Sequence, residues 1–406
     1  MKIEPARAVN GTFTLPGDKS ISHRAALFGA MAEGETCVSN FGSAADCAST
    51  LACLRGLGVD ITRDGNRVVI RGGLDRWRAP DGVLDAGNSG STIRMLAGAL
   101  AGRPFRTTLT GDSSLQRRPL ERVAAPLRAM GATVLTTNGA APITVTGGRL
   151  RGMRHELPVA SAQVKTAALL AGLQAVGRTT VREPAPSRDH TERMLPIFGA
   201  PVDRDGLEAS VEGGSRLTGA TLSVPGDASS AAFLVVAALV LPDSEVRLEG
   251  VLLSPTRTAF LDVLREMGGQ LETRLESAEP EPVGTIVARS SALHGIRVDP
   301  KLVPSLIDEV PALAVAAAYA SGETTITDAA ELRVKESDRI AAMAEGLTAL
   351  GASVRELPDG LVVNGGARLR GARVKAHDDH RIAMALAVAA LGASGPSEIE
   401  GGECVA

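Results

Sequence analysis

Aromatic residues are scarce in this chain: one Trp, one Tyr and seven Phe make 2% of 406 residues. Cores built on rings are excluded, so Ala, Val, Leu and Ile must supply the packing. Cysteine is also scarce. Cys37, Cys47, Cys53 and Cys404 show neither paired zinc spacing nor disulfide density, which fits a reducing cytosol. Neither sign of charge dominates, since 43 Lys and Arg face 46 Asp and Glu, a formal net charge of −3. That excludes a globally basic nucleic-acid binder and leaves a local basic cleft open. Long apolar runs are missing too. "AAFLVVAALVLP" is too short to span a bilayer, and "MKIEPARAVNGTFT" has no apolar signal core. The expectation is a cytoplasmic protein with no membrane and no nucleic-acid partner.

What is present is an ordinary globular balance, 44% hydrophobic and 22% charged, long enough for two sizeable cores. It is also repetitive. "LPGDKSIS" at Leu15–Ser22 is echoed by "VPGDASSA" at Val224–Ala231. The echo belongs to a larger set: "DKSISHRAALFGAMAEG", "NSGSTIRMLAGALAG", "SAQVKTAALLAGLQAVG", "DASSAAFLVVAALVLP", "LIDEVPALAVAAAYASG" and "DHRIAMALAVAALGASG". Each opens on polar residues and continues as an Ala- and Leu-rich helix. A second element recurs five times, as in "LRGLGVDITRDGNRVVIRGG" and "LTALGASVRELPDGLVVNGG". It reads as a helix end, a capping Gly and a hairpin. The repeating unit is therefore βαβαββ. "NGTFT" resembles the strand before each first helix, and the N-terminus is expected to close the last repeat. No segment supplies a sixth second helix, because the chain stops at "SEIEGGECVA".

The polar residues sit at the first turns of the first helices. Helix N-termini carry unsatisfied N–H groups and partial positive charge, so they favour anions. Lys19, Arg24, Arg94, Lys165 and Arg381 also fall in these first turns, where a cation opposes the helix dipole. Repetition of an unfavourable placement points to an anionic ligand that compensates. "GDSSLQRRPL", "SRDHTERML" and "RVKESDRI" place more cations at matching positions in their repeats. Acids are few here. Asp308 and Glu309 open an apolar helix, and Glu336 lies between Lys335 and Arg339. Many cations with two or three carboxylates suit a polyanionic substrate that also needs proton transfer.

"LPGDKSISHR", "GNSGSTIR", "QRRPL", "ASAQVKTA", "SRDHTERML", "VPGDASSAAF", "DEVPALAVAAA", "RVKESDRI" and "DDHRIAMA" together resemble the 5-enolpyruvylshikimate-3-phosphate synthase family of enolpyruvyl transferases, from about residue 13 to residue 390. The resemblance implies an α/β (α+β) fold of two domains, each of three βαβαββ units about a pseudo-threefold axis. The domains would be 1–15 with 226–406, and 16–225, with crossings near Pro16 and Pro225 acting as the hinge. It implies attack of the 5-hydroxyl of shikimate 3-phosphate on C2 of phosphoenolpyruvate while C3 is protonated, then loss of phosphate. No metal and no organic cofactor are implied. The partners would be the two small-molecule substrates, and the protein a monomer.

Residue by residue, the resemblance implies that Lys19, Ser20, Arg24, Ser161, Ala162, Gln163, Arg188, Asp308 and Lys335 hold shikimate 3-phosphate. Of these, Ser161, Ala162 (through its backbone) and Arg188 would lie at the 3-phosphate. Lys19, Gly90, Arg118, Gln163, Arg339 and Arg381 would hold phosphoenolpyruvate. Asp308 would take the 5-hydroxyl proton, and Glu336 and Lys19 would manage the proton at C3. Gly90 leaves room beside the phosphoenolpyruvate subsite, which implies sensitivity to glyphosate, a competitor of that substrate in this family. Asp227, in the second triplet, is expected to face the cleft at a capped helix start.

The chain departs from the family pattern after "GGEC", where members continue into a last helix, and Glu403 stands where some members place a Lys. The expectation is a shortened chain or a less stable first domain, and a catalytically impaired anion-binding homologue is one alternative. The sister transferase acting on UDP-N-acetylglucosamine is another. That family carries a reactive Cys in the loop aligned with "GDSSLQRRPL", where this chain has none.

Overall fold

The structure is a computed structural model that describes residues 1–405. The chain divides into two compact units. Pro16–Pro225 forms a central lobe. Met1–Leu15 and the chain from Gly226 onward form a terminal lobe.

In the central lobe the helices are α1 Lys19–Met31, α2 Ala45–Gly56, α3 Gly90–Leu100, α4 Glu121–Ala129, α5 Ala162–Gly172 and α6 His190–Met194. Three four-stranded sheets accompany them. In spatial order they are Thr221–Ser223, Gly34–Ser39, Arg67–Gly72, Asp60–Asp64; Leu84–Asp85, Arg106–Thr110, Ala140–Thr146, Thr133–Thr137; and Arg154–Glu156, Arg178–Arg182, Glu208–Glu212, Asp203–Asp205. Each begins with a parallel pair and ends with an antiparallel hairpin. The hairpin turns are written locally. Asn138 and Gly139 both take positive φ, 50° and 77°, as a type I′ turn requires.

The terminal lobe repeats this plan with α7 Ala228–Val240, α8 Ala259–Glu266, α9 Val303–Leu306, α10 Val310–Tyr319, α11 Arg339–Ala349 and α12 His380–Leu391. Its sheets are Asn10–Thr14, Glu245–Leu252, Val283–Arg289, Gln270–Ser277; Glu323–Ile326, Gly360–Asn364, Ser353–Leu357; and Arg373–Lys375, Ser397–Glu400, Lys2–Ile3. In the second sheet the fourth strand is reduced to parallel bridges, His294 to Ser321 and Arg297 to Thr325.

The first helices of the repeats are the core. Every residue of α1 from Ile21 to Met31 is buried, and α3, α5, α7, α10 and α12 are buried nearly as completely. A helix apolar all round belongs inside. In the terminal lobe α7, α10 and α12 pack against one another pairwise. Small residues make such packing close. A Cβ added at Gly98 of α3 would lie 2.2 Å from the carbonyl oxygen of Ala167 in α5. Each fully buried Leu, Ile or Phe contributes about 2 kcal/mol over its exposed state, and two of the sparse rings meet, with Phe28 edge-on to Phe198 at 5.7 Å.

One expectation from sequence is corrected here. Lys2–Ile3 closes the last repeat, pairing antiparallel with Ser397–Glu400. "NGTFT" does not: Asn10–Thr14 pairs parallel with Glu245–Leu252 in the sheet that follows α7. Conversely Thr221–Ser223, which precedes α7, pairs with Gly34–Ser39 after α1. The strands leading into the two Pro-Gly-Asp triplets are thus exchanged between sheets. Local sequence describes a strand and not its partner, which is why the exchange is invisible until the fold is known.

Candidate active site

In the central lobe, three first helices and α6 bring their N-termini to one face. Asp18 caps α1 by accepting from Ile21 N at 2.8 Å, Ser89 caps α3, and Ser161 caps α5. Arg24 ties three helices together. It donates to the hydroxyls of Thr191 and Thr166, both at 2.8 Å, and to the carbonyls of Ser20 at 3.0 Å and Ala162 at 3.4 Å. Arg188 donates to Ser20 Oγ at 3.2 Å. Ser20, Arg24, Ser161, Ala162 and Arg188 therefore lie together.

A second group adjoins through Gln163. Its Oε1 accepts from Arg94 at 2.9 Å, and its Nε2 donates to Ser91 at 2.9 Å. Arg118 donates to the side chain and backbone of Asn88 and to Ser114. A Cβ added at Gly90 would stand 2.6 Å from Arg94 Nη1 and 3.5 Å from Arg118 Nη1, so Gly90 opens the space beside both guanidinium groups. Lys19 pairs with Asp46 at 3.0 Å.

In the terminal lobe, the N-termini of α10, α11 and α12 converge. Arg339 is 1% exposed and turns all three nitrogens to carboxylates. Nε meets Asp379 at 2.8 Å, Nη1 meets Asp308 at 3.1 Å, and Nη2 meets Glu336 at 2.6 Å. Burial alone would weaken the hold of Arg339 on its proton. Glu336, Asp379 and Asp308 outweigh that, and the guanidinium stands well above its ordinary pKa. For Asp379 burial raises the pKa, but Arg339 outweighs burial and holds the carboxyl below its usual value. Lys335 Nζ lies 3.5 Å from Asp308, and Arg381 donates to the Asp308 carbonyl at 3.1 Å. Asp308, Lys335, Glu336, Arg339 and Arg381 are thus one cluster.

Several residues singled out in sequence turn away from these faces. Lys165 is buried between Glu183 and Glu192, 2.6 Å from each, so its charge is spent inside the lobe. Arg333 pairs with Asp338 and Glu356 and donates to the carbonyls of Leu357 and Pro358, which fixes a turn. Asp338 also caps α11. Asp227 caps α7 through Ser229 N at 2.7 Å and accepts from Arg257 at 3.2 Å, with 8% exposure. These contacts tie it to the start of α7 and to Arg257.

Other residues of these clusters are not legible in the sequence. Asp379 anchors Arg339 and caps α12. Glu183 accepts from Ser161 N at 3.0 Å while it neutralises Lys165. Arg257 supplies the second triplet with the cation its own segment lacks. His23, a residue of α1, is fully buried, with Nδ1 2.7 Å from Thr50 Oγ1, and Thr50, Thr92 and Ser89 continue that chain of hydroxyls. Only the helix-capping pattern before α12 hinted at any of these.

The family model described as EPSP synthase (3-phosphoshikimate 1-carboxyvinyltransferase) matches residues 3–406. A 3-phosphoshikimate 1-carboxyvinyltransferase of Desulforudis audaxviator is 53% identical over 410 residues, covering 100% of this chain and 96% of that protein. The protein of the same name from Acidithiobacillus ferrooxidans is 53% identical over 400 residues, covering 98% and 92%. The solved EPSP synthase of Acinetobacter baumannii superposes with a TM-score of 0.88 at 45% identity, covering 100% of this chain and 94% of that one.

Proposed function

Since the chain belongs to the EPSP synthase family, we propose that the two clusters described above divide the family's reaction between them. The activity is that of a 3-phosphoshikimate 1-carboxyvinyltransferase of the shikimate pathway. The enolpyruvyl group of phosphoenolpyruvate passes to the 5-hydroxyl of shikimate 3-phosphate, and phosphate leaves. The alternative acceptor UDP-N-acetylglucosamine is not favoured by these relatives.

In this reading Ser161, the Ala162 backbone and Arg188 hold the 3-phosphate at the start of α5, where helix N–H groups and a guanidinium favour an anion. Ser20, Arg24 and Gln163 place the ring, joined by Asp308 and Lys335. Lys19, Gly90, Arg118, Gln163, Arg339 and Arg381 take phosphoenolpyruvate. Asp308 accepts the 5-hydroxyl proton, for which an ionised carboxylate offers acceptor sites only. Glu336 and Lys19 carry the proton at C3. The lobes are the two domains, and the chain crosses between them at Leu15–Pro16 and Pro225–Gly226. The protein acts as a monomer in the cytoplasm.

The observation that carries this reading is the convergence of Asp308, Glu336, Lys335 and two arginines at three helix N-termini of one lobe. A site for acid–base work on a polyanion needs both kinds of charge within one reach. The test is phosphate release and enolpyruvyl-ether formation from shikimate 3-phosphate with phosphoenolpyruvate. Release only with UDP-N-acetylglucosamine, or no release, would overturn it.

A further inference from the structure

Asp308 and Glu309 are neighbours in sequence with opposite surroundings. The Asp308 side chain is 13% exposed and that of Glu309 is 0%. A carboxylate is buried this deeply only where something holds it. Glu309 Oε1 is held by the hydroxyl of Ser229. The direction of that bond is fixed by inventory. Arg257 can only donate, and its Nη2 lies 2.9 Å from Ser229 Oγ. Ser229 must therefore accept from Arg257 and give its single hydroxyl proton to Glu309. Arg257 itself is 1% exposed and also binds Asp227. Beyond Glu309 stands Arg381, with Nη1 3.8 Å from Oε1.

The last separation is the informative one. A closed charge-assisted Arg–carboxylate bond measures about 2.7–2.9 Å, and this pair is open. The Glu309 Oε2 atom is buried without a hydrogen-bond partner among the described residues. Arg381 donates one side-chain bond, to the Asp308 carbonyl. Glu309 thus restrains the guanidinium by charge, together with the Asp308 carboxylate 3.9 Å from Nη2, and leaves the Nη2 end of the fork without a hydrogen bond among the described residues. A closed pair with Glu309 would occupy more of the fork, and without its charge the guanidinium keeps only its Asp308 contacts. We propose that Glu309 is a positioning residue: set by Ser229 and Arg257, it aims Arg381 at the carboxylate or phosphate of phosphoenolpyruvate. The inference rests on the reading above that Arg381 takes that substrate.

The test is steady-state kinetics with both substrates on the full chain. Glu309→Gln keeps shape and the Ser229 contact but removes the charge. Its KM for phosphoenolpyruvate is expected to rise about tenfold, the scale of one oriented charge contact, while KM for shikimate 3-phosphate stays within about twofold. Arg381→Lys, which loses the fork, is expected to raise the same constant. The double variant should be no worse than Arg381→Lys alone, because both act through one group. Ser229→Ala, one step further back, should move the same constant by about threefold and serves if Glu309→Gln does not fold. An unmoved phosphoenolpyruvate KM in the Glu309 and Ser229 variants, equal rises in both constants, or additive effects in the double variant overturns the positioning role. If Arg381→Lys itself leaves that KM unmoved, the reading of Arg381 fails and the positioning role with it.

Discussion

The two lobes share one architecture, yet Arg339 of the terminal lobe is set among three carboxylates while Arg24 of the central lobe donates to hydroxyls and carbonyls. In the central lobe Arg24, Arg94 and Arg118 are fixed by hydroxyls, amides and backbone carbonyls. Those bonds orient each guanidinium. In the terminal lobe Arg339 is wrapped by Asp379, Asp308 and Glu336. There the cation also holds carboxylates. In the proposed reading, it is the carboxylates gathered around Arg339 that turn a repeated helix N-terminus into an acid–base centre. Lys19, paired with Asp46, and Lys165, between Glu183 and Glu192, are cations of the central lobe that resemble the other half.

Turnover is where the two lobes should differ most. If the acid–base work follows the carboxylates, Glu336→Ala and Lys19→Met should each lower kcat by about 10²–10⁴-fold with the fold intact. Near-normal rates in both, with an unchanged circular-dichroism spectrum, would dissolve the contrast. A smaller effect is expected on the cradle side. Gly90→Ala puts a methyl against Arg94 Nη1, and Arg94 holds Gln163. Here KM for phosphoenolpyruvate should rise by about three- to tenfold with kcat little changed. Inhibition by glyphosate should weaken in parallel, and an inhibition constant that stays put would separate the two subsites.

The smallest effect concerns pH. Burial pushes the His23 imidazole down to about 3 from 6.5, with Lys19 and Arg24 acting the same way and Asp46 and Asp18 opposing. Between those values the unfolded chain binds a proton that the native chain does not. Stability therefore rises with pH across this window, by up to about 1.4 kcal/mol per unit from this group, and the penalty is absent above 6.5. The slope of melting temperature against pH between 6.5 and 4 should flatten in His23→Gln. An unchanged slope would mean that His23 is not the group responsible.

The helices and hairpins were legible because their causes are local: caps such as Asp18 and Ser161, Ala-rich turns, and the Asn138–Gly139 turn. The charged residues facing each cluster were legible because cations at helix starts are conspicuous. What stayed hidden depends on distant partners. Nothing near Lys165 in the chain says that Glu183 and Glu192 will bury it. Nothing in "VPGDASSA" says that Arg257 will stand beside it. Asp308 and Glu309 both open the same apolar helix in sequence, and only packing separates the partly exposed side chain from the sealed one.

The exchange of Asn10–Thr14 and Thr221–Ser223 between sheets has a consequence for how the chain is completed. Every strand of the central lobe lies within one continuous stretch, so that lobe has all its pieces once residue 225 is made. The terminal lobe must hold its first fifteen residues in reserve, because Lys2–Ile3 waits for Ser397–Glu400. During synthesis, which proceeds from the N-terminus, the lobe that begins first is the one that closes last.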